Sequence, residues 1–448
     1  MEVDEGAAAA VAPPAPPSTL TTQEQLDLDI ASDPLTAELE AADEAASDDA
    51  SAAGYRALID GPRADEVACH VKERAVYKLG AALGRLGQAQ AIADLASSLR
   101  VGFFEHLPQA KTAKVVRTIV EMTGRVAGAA AIEEALVIEV VAWCVAQKRK
   151  FLRLRLQCRL SELLTERGAF AGCLAQVDTL LAELKVMDDK NLLVDVFLTE
   201  AKAHHGLQNL PKARASLTAA RSNANQIYVS PRVQANIDLL SGSLHAQDAD
   251  YKTAYSYFFE AYEALNTLGD ALALEVFRLM VLCKIMTDET QEVTSLLNGK
   301  HGTKHAGPGL EAMRAVSAAR KEKSLALHEA AMAKYAAELR EDERLASHLV
   351  RLGDELLEAN LAKIVRPYSV VETAHVARLI SLPLGKVETK LSQMILDQAL
   401  AGTLDQGKGH LVLYPPDTSD GTYDTGLAIV DKMGGVVDQL FKRSQEIE

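Results

Sequence analysis

From about residue 55 to 298, apolar side chains recur every three to four positions, the period of a helix that buries one face. Between Phe151 and Val186 two such amphipathic helices are separated by Glu166-Arg167-Gly168. The same design returns downstream. Phe170, Cys173 and Val177 match Leu210, Ala213 and Leu217, then Tyr251, Ala254 and Phe258, at offsets of 40 and 41 residues. Ala89, Ile92 and Ala96 lie 81 residues before the first set, two periods away, and the copy between them near residue 130 is poor. A large residue opening the second helix of a hairpin, with a small one a turn later, lets the paired helices approach closely. One hairpin cannot bury both of its faces, so hairpins stack. The pattern predicts an all-α, right-handed, TPR-like helical-repeat solenoid over 55–298. A rival reading is an irregular helical bundle with coincidental spacing.

Residues 299–309, GKHGTKHAGPG, hold four glycines and a proline and read as a loop in which no helix is viable. Helical periodicity resumes over 310–364. The pattern then changes. Ser369-Val370-Val371-Glu372 reads as a capping box opening a helix that Pro383 ends, and a second helix runs from about Gly385 to Ala401. Thr403-Leu404-Asp405 and His410-Leu411-Val412-Leu413-Tyr414, joined by a Gly-rich turn, read as a β-hairpin. Helices followed by a hairpin give the order of a winged helix over 365–416, and Pro415-Pro416 opens a linker. In the last segment, 421–448, Tyr423, Leu427, Val430, Gly434, Val437 and Phe441 fall at spacings of 4, 3, 4, 3 and 4. That is a heptad seam suited to a bundle with partner helices, or to packing back on the same chain.

Charge changes the picture at one end only. The net charge is −15, but the first 50 residues hold thirteen acidic residues and no Lys or Arg, so the remainder is almost neutral. Residues 1–54, Ala- and Pro-rich and then acidic, read as a disordered tail or as an acidic ligand for a basic partner, with a frayed helix around Leu26 to Leu39. The five cysteines are scattered in apolar helical contexts with no CxxC, which predicts buried free thiols in a reducing compartment. A basic, then apolar, leader is absent, the start is too acidic for a mitochondrial presequence, and no run of about 18 apolar residues exists. The expectation is a cytoplasmic and nuclear protein without a membrane partner.

Candidate chemistry adds little. The sequence has no GxxxxGK[ST], GxSxG or HExxH. His204-His205 are adjacent, so on a helix they point about 100° apart and cannot easily grip one ion. His301 and His305 sit in the Gly-rich segment with no carboxylate close by. The reading is no catalytic residue, no metal and no cofactor. A winged helix often reads DNA, but here the recognition helix offers only Lys386 and Lys390 against Glu388 and Asp397, and the wing only Lys408.

With repeats and wing in place, the chain resembles the non-ATPase regulatory subunit 11 family of the proteasome regulatory-particle lid, which are PCI-domain proteins. The resemblance rests on Met187-Asp188-Asp189-Lys190, the run from Asn209 to Ala215 (NLPKARA), the run from Lys252 to Phe258 (KTAYSYF), Leu282-Cys283-Lys284-Ile285-Met286, the run from Lys390 to Asp397 (KLSQMILD) and Leu404-Asp405-Gln406-Gly407. It spans roughly residues 65–445, more weakly over 55–145. It implies a non-catalytic scaffold in ubiquitin-dependent protein degradation. In such a scaffold, winged helices of sister lid subunits pair edge to edge and C-terminal helices gather in one bundle. The N-terminal arm would reach an ATPase subunit of the base and an α-subunit of the core particle. By this resemblance residues 403–414, including Leu404, Leu411, Val412, Leu413 and Tyr414, supply edge strands. Residues 422–445, through Tyr423, Leu427, Val430, Val437 and Phe441, supply the bundle helix. The alternatives are a nucleic-acid-binding winged-helix regulator and a scaffold of the COP9 signalosome.

Overall fold

A computed structural model describes residues 33–445 apart from 44–46, 62, 64, 101, 306, 341–342, 381 and 415–420. The described chain is nearly all helix, with three short strands near its C-terminal end. It divides into two compact units between Ile237 and Asp238.

In the first unit, helices Gln109–Gly124, Ala130–Ala146, Lys150–Glu166, Phe170–Met187, Lys190–Gly206 and Leu210–Ala224 follow one another, each packed on its neighbour in the chain or the next but one. The repeated positions are the buried ones. Cys173, Val177, Ala213 and Leu217 are buried here, and Tyr251, Ala254 and Phe258 are buried in the second unit. The closest approaches are made by glycines that the spacing did not single out. A Cβ added at Gly206 would stand 2.4 Å from the Phe170 ring, and one at Gly242 would stand 2.7 Å from the Phe258 ring. The bulky residue of each pair thus fills space that only glycine leaves open on the facing helix.

The poor copy is the helix Ala130–Ala146, and its defect is specific. Counting back 40 residues from Cys173 and Val177 gives Glu133 and Val137. Val137 is fully buried, but the small-residue slot holds a carboxylate with only 2% of its surface exposed. Glu133 is matched from the next helix: Arg159 Nε donates to its Oε1 at 2.9 Å and Nη2 to its Oε2 at 3.4 Å. Gly124 makes room for it, since an added Cβ would meet Glu133 Oε2 at 2.8 Å. Burial opposes the Arg159 charge, yet hydrogen bonds to Glu133 and Glu162 hold its pKa above the ordinary arginine value.

The junctions between helices share one backbone device. A residue with positive φ stands at Lys148, Gly168, Asp188 and Gln208, and again at Ala249, Gly269 and Asp288 in the second unit, a step of about 20 residues. At most of them an N–H one residue further on donates to a carbonyl five residues back: Arg149 to Cys144, Ala169 to Leu164, Asn209 to His204 and Asp250 to His245. This is a Schellman closure, which satisfies end carbonyls and reverses the chain at once. Glycine takes the left-handed position at Gly168 and Gly269; Lys148, Gln208 and Ala249 hold it against a steric penalty of roughly 1–2 kcal/mol each.

Two expectations need correction. The acidic tail ends sooner than residue 54. Helices Pro34–Asp43 and Asp48–Asp60 are formed, and Leu39, Ala42, Tyr55 and Leu58 are buried in the same core as Val76, Leu79 and Ile92. Polar links reinforce the docking: Tyr55 and Lys78 both donate to Asp43, and Arg85 Nη2 pairs with Asp48 at 2.6 Å. Acidic residues there lie on the outer side of helices whose inner side is Leu, Ala and Tyr. Residues 1–32, the rest of the expected tail, lie outside the described residues. Likewise 299–309 is not all loop, because Lys300–Lys304 forms a short helix. Its glycine allows contact rather than breaking structure: a Cβ at Gly302 would meet the Leu297 carbonyl oxygen at 2.2 Å. His301 Nδ1 lies 3.0 Å from the hydroxyl of the buried Tyr262, so the turn rests against the second unit's core from outside.

All five cysteines are free and buried. Burial raises the thiol pKa at Cys144, to about 11, and also at Cys158, Cys173 and Cys283, which keeps the thiolate scarce. Among the described residues no helix is long and apolar enough to cross a membrane, and no group of three or more His, Cys, Asp or Glu could hold a metal ion.

Candidate functional site

The long helix Glu343–Val365 leads into the winged region. There strand β1 (Val370–Glu372), helices Thr373–Ile380 and Leu384–Leu396, β2 (Gly402–Asp405) and β3 (His410–Leu413) follow in order. The sheet order is β1-β3-β2, antiparallel throughout, with Val371 opposite Leu411 and Leu404 also opposite Leu411. Leu361 and Val365 of the long helix join Val371, Val376, Val387, Leu391, Met394 and Leu411 in one core. The supposed capping box is therefore a strand. Ser369 offers its carbonyl to Leu413 N–H at 2.8 Å, and Thr373 N–H donates to Gly409 O at 2.9 Å. Val370-Val371 sits where β-branched residues gain from pairing, and the helix starts only after Glu372. The β2–β3 turn is closed by Asp405, whose Oδ1 accepts from Gly407 N at 3.0 Å and Lys408 N at 3.2 Å.

The strand order redistributes the expected contact residues. Leu411, Val412 and Leu413 lie on β3, the central strand, which is paired on both sides; Leu411 is fully buried. They build the wing and have no free backbone edge to offer. The correction follows from the three-residue strand β1, which covers the side of β3 that a simple hairpin would leave open. The free edges are β1 and β2. Because Tyr414 N–H bonds Ala401 O at 2.9 Å, Thr403 and Asp405 turn their backbone groups towards β3. Gly402 and Leu404 turn theirs outward. Leu404 is half-buried against the wing core, and Tyr414 is exposed, its hydroxyl 3.1 Å from Thr403 Oγ1. Elsewhere in the winged region Val370, Leu379, Leu384 and Leu396 are large apolar side chains in water.

The helix Gly421–Gln445 has no buried residue. Tyr423, Leu427, Val430, Val437 and Phe441 are each more than half exposed, so the heptad seam is not covered by any of the described residues. A second apolar series was overlooked: Ile429, Met433, Val436 and Leu440, at spacings 4, 3 and 4, is exposed to the same degree. At 100° per residue the two stripes lie about 110° apart, while Asp424, Asp431, Asp438 and Lys442 hold the opposite side. The heptad rule that revealed the first stripe would have revealed the second. Gly434 and Gly435 also lack an internal reason, since an added Cβ would meet nothing within 4 Å.

The basic groups of the recognition helix are few, and one of the two is engaged. Lys390 Nζ pairs with Glu358 Oε1 of the long helix at 2.8 Å and its side chain is mostly buried. Lys386 is left as the exposed cation of that helix.

A family model for the 26S proteasome regulatory subunit RPN6 N-terminal domain matches residues 35–167, and one for the PCI domain matches residues 332–415. The first begins one residue into the helix Pro34–Asp43, in agreement with the helices formed there. Among curated proteins, the 26S proteasome non-ATPase regulatory subunit 11 homolog of Arabidopsis thaliana is 45% identical over 404 residues, covering 90% of this chain and 96% of that protein. A probable 26S proteasome regulatory subunit rpn6 of Schizosaccharomyces pombe is 42% identical over 390 residues, 87% of this chain and 92% of its own length. The 26S proteasome regulatory subunit RPN6 of Saccharomyces cerevisiae is 37% identical over 407 residues, 90% and 92% of the two chains. A helical-repeat chain with a PCI winged helix that aligns over most of its length with these proteins belongs to the 26S proteasome non-ATPase regulatory subunit 11 (RPN6) family.

Proposed function

We propose that this chain is a non-catalytic scaffold of the proteasome regulatory-particle lid, acting in ubiquitin-dependent protein degradation in cytoplasm and nucleus. The observation that carries this reading is the terminal helix, 25 residues long with two apolar stripes and no buried position. A lone helix of that kind exposes more apolar surface than a solitary protein tolerates, and two stripes call for at least two neighbouring helices. Sister lid subunits would supply them. The outward-facing backbone of β2 at Gly402 and Leu404 would pair with a sister wing by strand addition, with Tyr414 flanking. The repeats of the first unit would reach an ATPase subunit of the base and an α-subunit of the core particle. The RPN6 N-terminal match over 35–167 supports assigning that role to this end of the chain. The engagement of Lys390 by Glu358 speaks against a DNA reader.

The test is incorporation into the lid. Deleting residues 422–448 should abolish co-purification with lid subunits while the monomer's helix content falls only by the deleted segment. Leu404→Pro removes an outward N–H without touching the β2–β3 pairing, whereas Leu404→Ala keeps that donor and loses similar packing. Proline is expected to weaken incorporation far more than alanine. Normal assembly of the truncated chain would refute the bundle role, and equal behaviour of the two Leu404 variants would remove strand pairing at β2.

A further inference from the structure

The first unit presents a basic face that its own side chains leave uncovered. Helices Glu66–Arg85, Gln109–Gly124 and Lys150–Glu166 lie in a row and run the same way. Lys111 Nζ stands 2.5 Å from His70 Nε2, and a Cβ added at Gly80 would meet Met122 Sδ at 2.5 Å, which aligns the first two. Arg117 and Arg155 line one cleft, and Gly124 and Arg159 both meet Glu133, which aligns the third. Charge is graded along all three. Their N-terminal halves, 66–75, 109–116 and 150–158, hold seven lysines and arginines against two glutamates; the C-terminal halves hold four against three. This grading opposes the helix macrodipole, whose positive end disfavours cations in the opening turns. No acidic residue stands in the first turn of Gln109–Gly124 or Lys150–Glu166 to offset it. Three of the seven cations are engaged: Lys72 donates to the Gly61 carbonyl, Arg153 pairs with Glu183, and Arg155 faces Asp195. Arg74, Lys111, Lys114 and Lys150 have no carboxylate partner among the described residues. Glu73, the carboxylate among them, is buried and accepts from the Tyr77 hydroxyl at 2.9 Å. Next to Lys150, the Phe151 ring is 70% exposed.

We propose that this face is the docking surface for residues 20–32 of the same chain. Position is the first reason. Asp33 accepts from Arg63 Nη1 at 3.3 Å, and Arg63 lies just ahead of the helix Glu66–Arg85. The segment therefore joins the fold at the basic end of the three helices, not at the far end. Composition is the second. Asp27 and Asp29 alternate with Leu26, Leu28 and Ile30, Glu24 precedes them, and no Lys or Arg occurs before Arg56. Carboxylates so spaced complement the four unpartnered cations, and the aliphatic residues between them suit the open Phe151 ring. Length is the third. Neighbouring helix axes stand about 8–10 Å apart, so the row is about 20 Å wide. The stretch from Asp33 back to Glu24 can reach about 30 Å. A separate acidic polypeptide would also satisfy the charge, but a tethered segment competes at an effective concentration of about a millimolar. No residue of the wing or the terminal helix takes part, so this reading and the assembly reading fail separately.

The test uses the full chain at high dilution. Zero-length carbodiimide coupling should join Glu24, Asp27 or Asp29 to Lys111, Lys114 or Lys150, read by mass spectrometry of the monomer band. A fluorescent peptide of residues 20–32 supplies the second readout, by anisotropy. It should bind the variant Glu24→Gln/Asp27→Asn/Asp29→Asn about tenfold more tightly than the unaltered chain, whose own copy competes. Adding Lys114→Glu and Lys150→Glu to that variant should weaken the peptide by about tenfold or more. Both lysines are exposed, so the fold is expected to survive, and a thermal melt checks this. Absence of these couplings, or coupling of the three acids to lysines elsewhere such as Lys212, overturns the proposal. Equal affinity of the peptide for the two chains, or indifference to the lysine reversals, does the same. A poly-glutamate peptide that binds the neutralised variant as tightly as the segment would make the face a site for acidic polypeptides at large, and would remove residues 20–32 as its occupant.

Discussion

Two helices of this protein carry apolar residues at the same three-and-four spacing and meet opposite fates. In Tyr251–Leu268, the residues Tyr251, Ala254, Phe258, Ala261, Tyr262 and Leu265 are all buried. In Gly421–Gln445, the residues Tyr423, Leu427, Val430, Val437 and Phe441 are all exposed. Periodicity therefore tells that a helix has a face to hide; it does not tell whether the cover comes from the same chain. The glycines sharpen the contrast. Gly242 is shaped by the Phe258 ring against it, whereas Gly434 and Gly435 answer to nothing among the described residues. Under the assembly proposed above, that space would be kept for a neighbour outside the polypeptide.

The sharpest way to test the contrast is to truncate the internally satisfied helix. Phe258→Ala removes a fully buried ring and should destabilise the isolated chain by about 3–5 kcal/mol, read as a lower urea midpoint. A loss below about 1 kcal/mol would mean that this helix is less locked than its burial implies. A smaller effect is expected at the irregular repeat. Glu133→Gln keeps the shape but leaves Arg159 with only its more exposed carboxylates, and should cost about 2 kcal/mol. The discount from a fully buried pair reflects the partial exposure of Arg159. Had Glu133 been a mere tolerated defect, Glu133→Ala would restore the small-residue pattern and stabilise, so a gain in unfolding midpoint would reverse this interpretation. The smallest effect on stability belongs to the other helix. Val430→Asp combined with Val437→Asp should shift the monomer's stability by less than about 0.5 kcal/mol, because neither side chain is covered. The same pair should nevertheless block lid incorporation. A large drop in monomer stability would show that the helix folds back after all.

Much of this organisation could be read from residue order. The 40-residue spacing was visible because Cys173, Ala213 and Ala254 occupy equivalent slots with large apolar neighbours. The terminal seam was visible for a similar reason. Two kinds of feature were not. The helices at Pro34–Asp43 and Asp48–Asp60 were masked by acidic and alanine-rich composition, although Leu39, Tyr55 and Leu58 mark their inner side. The strand order was hidden because Ser369-Val370-Val371-Glu372 satisfies the pattern of a helix start and a three-residue strand equally well, and only pairing with β3 decides.

The regular step of left-handed residues at Lys148, Gly168, Asp188 and Gln208 has a consequence for how this part of the chain can vary. Adding a single residue within one helix would swing everything after it by about 100° before the next reversal, carrying inward positions out to water. Dropping an entire pair of helices, near 40 residues, would instead bring an equivalent reversal and an equivalent slot into the vacated place. Between 148 and 208 the polypeptide is quantised: its span can grow or shrink by whole modules, and intermediate lengths are closed to it.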